Sequence, residues 1–287
     1  MRDQAESLRL KLKKQSNQNE AKAIAVVSGK GGVGKSNFSL NFALGLSNKG
    51  AKVLLFDMDI GMGNIDILMG LNAKHSIVDL FEHNLPIRDI IEIGTGNLSY
   101  IAGGSGMTNL FKMEEDRYQY FLDQLDSVFE EYDYIIFDIG AGISQESLKF
   151  ILSAHELVVV TTPEPTSMTD AYAMMKYIHL RKEDIPFYLL VNRTYDERQA
   201  LQSYNRLQRV CEQFLKRKLQ YLGDLPDDRS VLAAVSKQTP FLLYDERSAA
   251  SQAMREIIKR YENSSFKVEG TSRHGFISKL KRFLKER

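Results

Sequence analysis

The chain has 287 residues, with 38 Lys+Arg against 37 Asp+Glu, 43% hydrophobic residues, one cysteine and no tryptophan. That apolar fraction supports a buried core, and Cys211 has no second cysteine to pair with, so wholesale disorder and a disulfide scaffold are excluded. No run approaches ~18 consecutive apolar residues and the polar start lacks an apolar signal core, so the expectation is a soluble, cytoplasmic protein.

The net charge of +1 is unevenly spread: residues 1–22 carry +3 and residues 273–287 carry +5, which leaves −7 on the body between them. A DNA-binding domain would carry its positive charge on the folded surface, so this distribution argues against one.

In chain order, residues 1–12 come first. Met1, Ala5, Leu8 and Leu12 make a narrow helical stripe, enough for a short partner-anchoring helix. Residues 13–22 are polar and aperiodic, and read as a flexible linker. The body, 23–262, opens with the apolar run 23–27, a glycine-rich turn, and a helical pattern over 36–47 that Gly50 would stop. Further fully apolar runs lie at 53–56, 134–137, 157–160 and 187–191, as strands covered on both faces do. Helical patterns occupy 114–131, 144–154, 167–180, 196–218 and 249–262. Strands alternating with helices predict an α/β fold, a mostly parallel central sheet with helices on both faces, and no internal repeat divides it. Residues 263–275 read as a second linker before a terminal helix over 276–287.

The first strand leads into Ser28-Gly29-Lys30-Gly31-Gly32-Val33-Gly34-Lys35-Ser36, which fits the phosphate-loop pattern G-x-x-x-x-G-K-[ST]. Glycines let backbone N–H groups curl around an anion, and the helix that follows points its positive end at the same place. In such a loop Lys35 neutralises phosphate oxygens and the Ser36 hydroxyl ligates Mg²⁺. The run 53–56 ends in Asp57-Met58-Asp59, and 134–137 ends in Asp138. Carboxylates at the carboxyl ends of parallel strands sit where open α/β sheets bind ligands.

In the terminal segment, Phe276, Ile277, Leu280, Phe283 and Leu284 span about 120° of the helical wheel, opposite Lys279, Lys281, Arg282 and Lys285. Bulky apolar residues facing Lys/Arg are the pattern of a helix lying in an anionic membrane surface. Docking on the body or on a partner is the competing reading, and the flexible-looking linker before the helix favours the membrane.

The second lysine within the loop, Lys30, makes the sequence resemble the deviant Walker A loop of the MinD/ParA (SIMIBI) class of P-loop ATPases. The stretch 57–70 resembles the MinD branch of that class. The resemblance implies hydrolysis of ATP to ADP and phosphate with Mg²⁺, in a nucleotide-sandwich homodimer. It implies nucleotide contacts from Gly29, Lys30, Gly31, Gly32, Val33, Gly34, Lys35, Ser36 and Asn37, with Lys30 reaching the partner copy's phosphates. Ser36, Asp57 and Asp138 would serve Mg²⁺, Asp59 would orient the attacking water, and Gly142 would offer its N–H to the γ-phosphate. Asn192 would read the adenine edge, with Pro226 and Asp227 around the base, Arg193 as a weaker ring contact, and Asp170 at the dimer interface. Gly140 departs from the family, many of whose members have proline there.

Asp3-Gln4-Ala5-Glu6-Ser7-Leu8-Arg9 resembles D-Q-A-x-x-L-R at the start of the flagellar branch of this group, the FlhG (YlxH) family. There the motif, here Asp3, Gln4, Ala5, Leu8 and Arg9, contacts an FlhF-type GTPase and stimulates its GTP hydrolysis. The resemblance also implies peripheral membrane attachment in the ATP state and basal-body C-ring partners. Division-site selection by a MinD stays open as an alternative, and a ParA-type DNA-segregation role is disfavoured by the acidic body. A nitrogenase-reductase-like carrier would need a pair of cysteines per copy, and only Cys211 exists.

Overall fold

The computed structural model describes residues 21–59, 63–104, 115–181, 184–265 and 275–285. The N-terminal residues Asp3, Gln4, Ala5, Leu8 and Arg9 lie outside the described residues, as do the side chains of Leu284 and Lys285.

The apolar runs become β1 (Lys22–Val27), β2 (Val53–Met58), β5 (Tyr134–Ile139), β6 (Glu156–Thr161) and β7 (Phe187–Thr194). With β3 (Glu92–Ile93), β4 (Ser99–Ile101) and β8 (Leu219–Pro226) they form one sheet, ordered β3-β4-β2-β5-β1-β6-β7-β8. Among the described residues every strand pairing is parallel except β3 with β4 at the edge. The central strands are buried throughout, because helices cover both faces.

One face carries α1 (Lys35–Ser47), α2 (Ile65–Leu68), α8 (Arg229–Ser236), α9 (Phe241–Tyr244) and α10 (Ala249–Ser265). The other carries α3 (Ile77–Glu82), α4 (Glu115–Phe129), α5 (Gln145–Ser153), α6 (Pro165–His179), α7 (Glu197–Val210) and α11 (Gly275–Lys285).

Three sequence boundaries move. Residues Ala21 and Lys22 belong to the body rather than to the first linker: the Ala21 N–H donates to Phe129 O at 3.0 Å, and the Lys22 N–H to Asp133 O at 2.8 Å. The helix expected over 196–218 ends in a π-turn at Cys211–Leu215, because Lys216 turns left-handed (φ 54°) to bring Leu219 into register with Phe187. The last body helix runs on to Ser265, so 263–265 are helical, not linker.

The terminal helix α11 does not stand apart. Phe276 is 1% exposed, stacked on Phe129 at 4.9 Å and on Phe137 at 5.1 Å between ring centroids, and Leu280 is fully buried. Ile277 and Phe283 pack partly buried on the same cluster. The basic side is outermost: Arg282 is exposed over the Phe283 ring, and Lys281 pairs with Asp123 at 3.5 Å. The stripe that amphipathicity marks for a membrane is covered here by the protein's own aromatic surface.

Candidate nucleotide-binding site

Because β2, β5 and β1 are neighbours, the turn after β1 meets the carboxylates that end β2 and β5. Asp57 lies beside Asp138 in register, and Asp138 beside Val26.

Between Ser28 and α1 the loop passes through left-handed glycines at Gly32 (φ 77°) and Gly34 (φ 90°), a conformation that a Cβ resists. At Gly29 the restriction is space: a Cβ there would fall 2.3 Å from the backbone carbonyl carbon of Asp170 on α6. The loop therefore rests on α6, which is where Asp170 enters the site, half-buried and through its backbone. Gly34 is the N-cap of α1 and brings no side-chain cap, so the first-turn N–H groups are left to an anion. The turn of Gly142 at the end of the β5 loop is also left-handed (φ 83°).

Behind the loop, Lys35 Nζ donates to Asp138 Oδ1 at 2.8 Å, and Ser39 Oγ donates to the same oxygen at 2.8 Å. The lysine is 7% exposed and the aspartate 0%. Asp138 Oδ2 is buried with no hydrogen-bond partner among the described residues. An orphaned oxygen on the aspartate that pairs with Lys35, the residue before Ser36 at the start of α1, fits Mg²⁺, which takes oxygen ligands alongside substrate phosphates. Ser36 and Asp138 would hold the ion, which would supply charge neutralisation at the phosphates.

Asp57 fits that role less well. It is 1% exposed, and three backbone N–H groups already occupy its two oxygens. Burial, then the charge of Asp138, push its carboxyl up to about 7 against those donors. Asp59, beyond the strand end, is half-buried; burial raises its carboxyl while the charge of Lys35 pulls it back.

On the other side of the loop, a cavity of about 180 Å³ is lined by Asn37, Phe38, Asn192, Arg193 and the β8–α8 segment, including Pro226, Asp227 and Leu232. Asn192 Nδ2 donates to Val33 O at 2.7 Å, and its Oδ1 accepts from the Arg193 N–H at 2.9 Å, so it ties the phosphate loop to β7. Arg193 is itself left-handed (φ 57°). Sequence reasoning missed the apolar wall of Val231, Leu232 and Val235 on α8. Their helical spacing just after Pro226-Asp227-Asp228 was the available signal. It also missed Glu164, whose carboxylate pairs with Lys30 Nζ at 3.5 Å on the exposed rim.

The ParA family model, described as an NUBPL iron-transfer P-loop NTPase, matches residues 19–261. The chain is 32% identical to the antiactivator FleN of Pseudomonas aeruginosa, covering 88% of this chain and 90% of that one. It is 31% identical to the flagellum site-determining protein YlxH of Helicobacter pylori, covering 93% and 92%. Among solved structures, the septum site-determining protein MinD of Pyrococcus horikoshii, complexed with Mg-ADP, shares the fold with a TM-score of 0.70. That likeness covers 85% of this chain and 97% of the other at 23% identity. The one cysteine, Cys211, is buried, and burial pushes its thiol up to about 11. Among the described residues no group of three or more His, Cys, Asp and Glu could hold a metal.

Proposed function

The chain belongs to the MinD/ParA family of P-loop ATPases, and from that premise we propose that it is an ATP-switched regulator of flagellar placement and number. It hydrolyses ATP to ADP and phosphate, and the finer reading is a switch between monomer and membrane-associated dimer. The observation that carries the flagellar reading is the near full-length similarity to the flagellum site-determining protein YlxH, beside that to the antiactivator FleN. The leader residues Asp3, Gln4, Ala5, Leu8 and Arg9 then act on an FlhF-type GTPase, and C-ring proteins are further partners of this reading. A peptide covering residues 1–12 should stimulate GTP turnover by such a GTPase without the ATPase body. A Gln4→Ala peptide that stimulates equally well would remove the glutamine from the mechanism, since its proposed task is to position the attacking water.

Within the site, Lys35 binds the phosphates, Ser36 and Asp138 hold Mg²⁺, and Asp59 orients the water. The adenine lies in the cavity bounded by Asn192, Arg193, Pro226 and Asp227, and Gly142 contributes its N–H at the γ-phosphate. Lys30 acts in trans, with Asp170 near the interface. Its support is position: Lys30 sits on the rim, its side chain 45% exposed, and pairs only loosely with the exposed Glu164. A pair of that kind contributes ~0–1 kcal/mol and is easily exchanged for a partner's phosphates. Lys30→Ala should therefore retain ATP affinity within about tenfold and lose hydrolysis and the ATP-dependent dimer. Light scattering with ATP is the measurement, and an undiminished dimer would refute the contact in trans.

Asp59→Ala should lower kcat by ~10²-fold or more while changing the dissociation constant for ATP only a few-fold. A group that acts only in the transition state shows its loss there. Equal loss of binding and turnover would assign Asp59 to ground-state binding instead.

A further inference from the structure

We propose that Asp57 is a positioning residue: its buried carboxylate clasps the backbone N–H groups of Asp59, Asn64 and Ile65, and it does not ligate Mg²⁺. The inference rests on the reading of Asp59 as the water-orienting group, and it departs from the magnesium role that family resemblance gives Asp57.

The two strand-end aspartates share a register and differ in what their oxygens do. Asp138 keeps one oxygen, Oδ2, buried and unpartnered among the described residues. Asp57 uses both of its oxygens. Oδ1 accepts from the Asp59 N–H at 3.0 Å; Oδ2 accepts from the Asn64 N–H at 2.9 Å and from the Ile65 N–H at 3.2 Å. Hydrogen bonds from N–H groups to a carboxylate are charge-assisted and roughly twice as strong as neutral ones. Three of them converging on one buried group join residues 59, 64 and 65 to the end of β2.

The backbone around the carboxylate is closed to anything larger. A Cβ at Gly63 would sit 3.0 Å from Asp57 Oδ2, and one at Gly103 would sit 3.2 Å from Oδ1. A metal ion with its own waters would have to displace those donors to reach Asp57. Asp138 requires no such displacement.

Asp59 has a second hold. A Cβ at Gly140, the residue after β5, would lie 2.9 Å from Asp59 Oδ1 and 3.3 Å from its Cγ. The bare Cα of Gly140 thus makes the shelf on which the Asp59 carboxylate rests. Asp57 fixes the main chain of Asp59 from one side, and Gly140 fixes its side chain from the other. Glycine in place of the family's frequent proline acquires a reason: either proline or alanine would push the carboxylate off that shelf.

The test compares Asp57→Asn, Gly140→Ala and Asp59→Ala. Asparagine can accept through one oxygen only and turns its NH₂ toward an N–H, so it breaks the clasp with little change of volume. Three readouts are needed: kcat, the ratio of ADP dissociation constants with and without Mg²⁺, and residue-resolved amide exchange. For Asp57→Asn we expect exchange at Asp59, Asn64 and Ile65 to quicken at least tenfold, kcat to fall at least tenfold, and the Mg²⁺ ratio to hold within twofold. Gly140→Ala should lower kcat at least fivefold with exchange at those three amides unchanged. Collapse of the Mg²⁺ ratio in Asp57→Asn with unaltered exchange would overturn the proposal. If Asp57→Asn does not fold, the wild-type protein serves: Mg²⁺ added to the ADP complex should leave the three amides protected, whereas a ligand role would draw the carboxylate away and expose them. Should Asp59→Ala keep its kcat, the reading of Asp59 fails, while the exchange data still decide what Asp57 holds.

Discussion

Lys35→Ala is expected to lose MgATP affinity by at least ~10²-fold and to lower the stability of the nucleotide-free protein at the same time. The first loss follows from removing several charge-assisted contacts to phosphate at once. The second follows from what Lys35 does without nucleotide. Its Nζ lies 2.8 Å from Asp138 Oδ1, with the aspartate fully buried. Deleting one member of a buried ion pair leaves the other charge uncompensated, which costs about 3–5 kcal/mol. Ser39 Oγ, 2.8 Å from the same oxygen, offsets only part of that. Adding Asp138→Asn should restore most of the stability, because the orphan is then neutral and can still accept from Ser39. It should restore none of the ATP binding. Titration calorimetry and urea denaturation read the two quantities separately. A single variant as stable as the wild type would show that Lys35 is not the compensating charge for Asp138.

The part of this site legible in the sequence is the part fixed by backbone chemistry. Gly29, Gly32 and Gly34 occupy positions where a Cβ meets backbone or forces a left-handed turn, so their spacing announces the loop before any contact is known. The central strands were legible because burial on both faces leaves their middle residues, 53–56 and 157–160, wholly apolar. The edge pair β3 and β4 is two and three residues long, too short for a pattern to develop. The bounds of β8 were obscured by Gly223 at φ 146° and by register shifts against β7.

Legibility also failed wherever the question was which partner a residue takes. Asp57 at the end of an apolar strand is conspicuous, but its partners are amide groups of residues 59, 64 and 65, and amides carry no sequence signal. The same limit applies to α11. Amphipathicity states that Phe276 and Leu280 will be covered, and says nothing of what covers them. In the structure Phe276 is covered by Phe129, Phe137 and Phe150.

That burial sharpens the expected coupling between nucleotide and membrane. Phe276 and Leu280 cannot lie against the body and in a lipid surface together. Burying such a side chain stabilises by ~1.5–3 kcal/mol, so docking withdraws a substantial share of a single tail's membrane affinity. The proposed ATP-held dimer would present two tails, and linkage can raise avidity by ~10²-fold or more without a new contact. Sedimentation with vesicles rich in anionic lipid should therefore pellet the protein with ATP at least tenfold more than with ADP. The variants must respect the docked state. Phe276→Asp would put a charge inside the stack on Phe137, so its failure to pellet would confuse misfolding with lost anchoring. Changing Lys279, Lys281 and Arg282 to Glu leaves the buried stripe in place and removes the attraction to anionic lipid, at about 1 kcal/mol per basic residue. The triple variant should lose membrane binding by ~10²-fold or more in ATP and keep its ATP site. Phe129→Ala acts from the opposite side, loosening the dock without touching the tail. It should raise pelleting in ADP toward the ATP level. Equal pelleting of wild type in the two nucleotides would refute the switch. Wild-type behaviour of Phe129→Ala in ADP would show that docking does not restrain the tail.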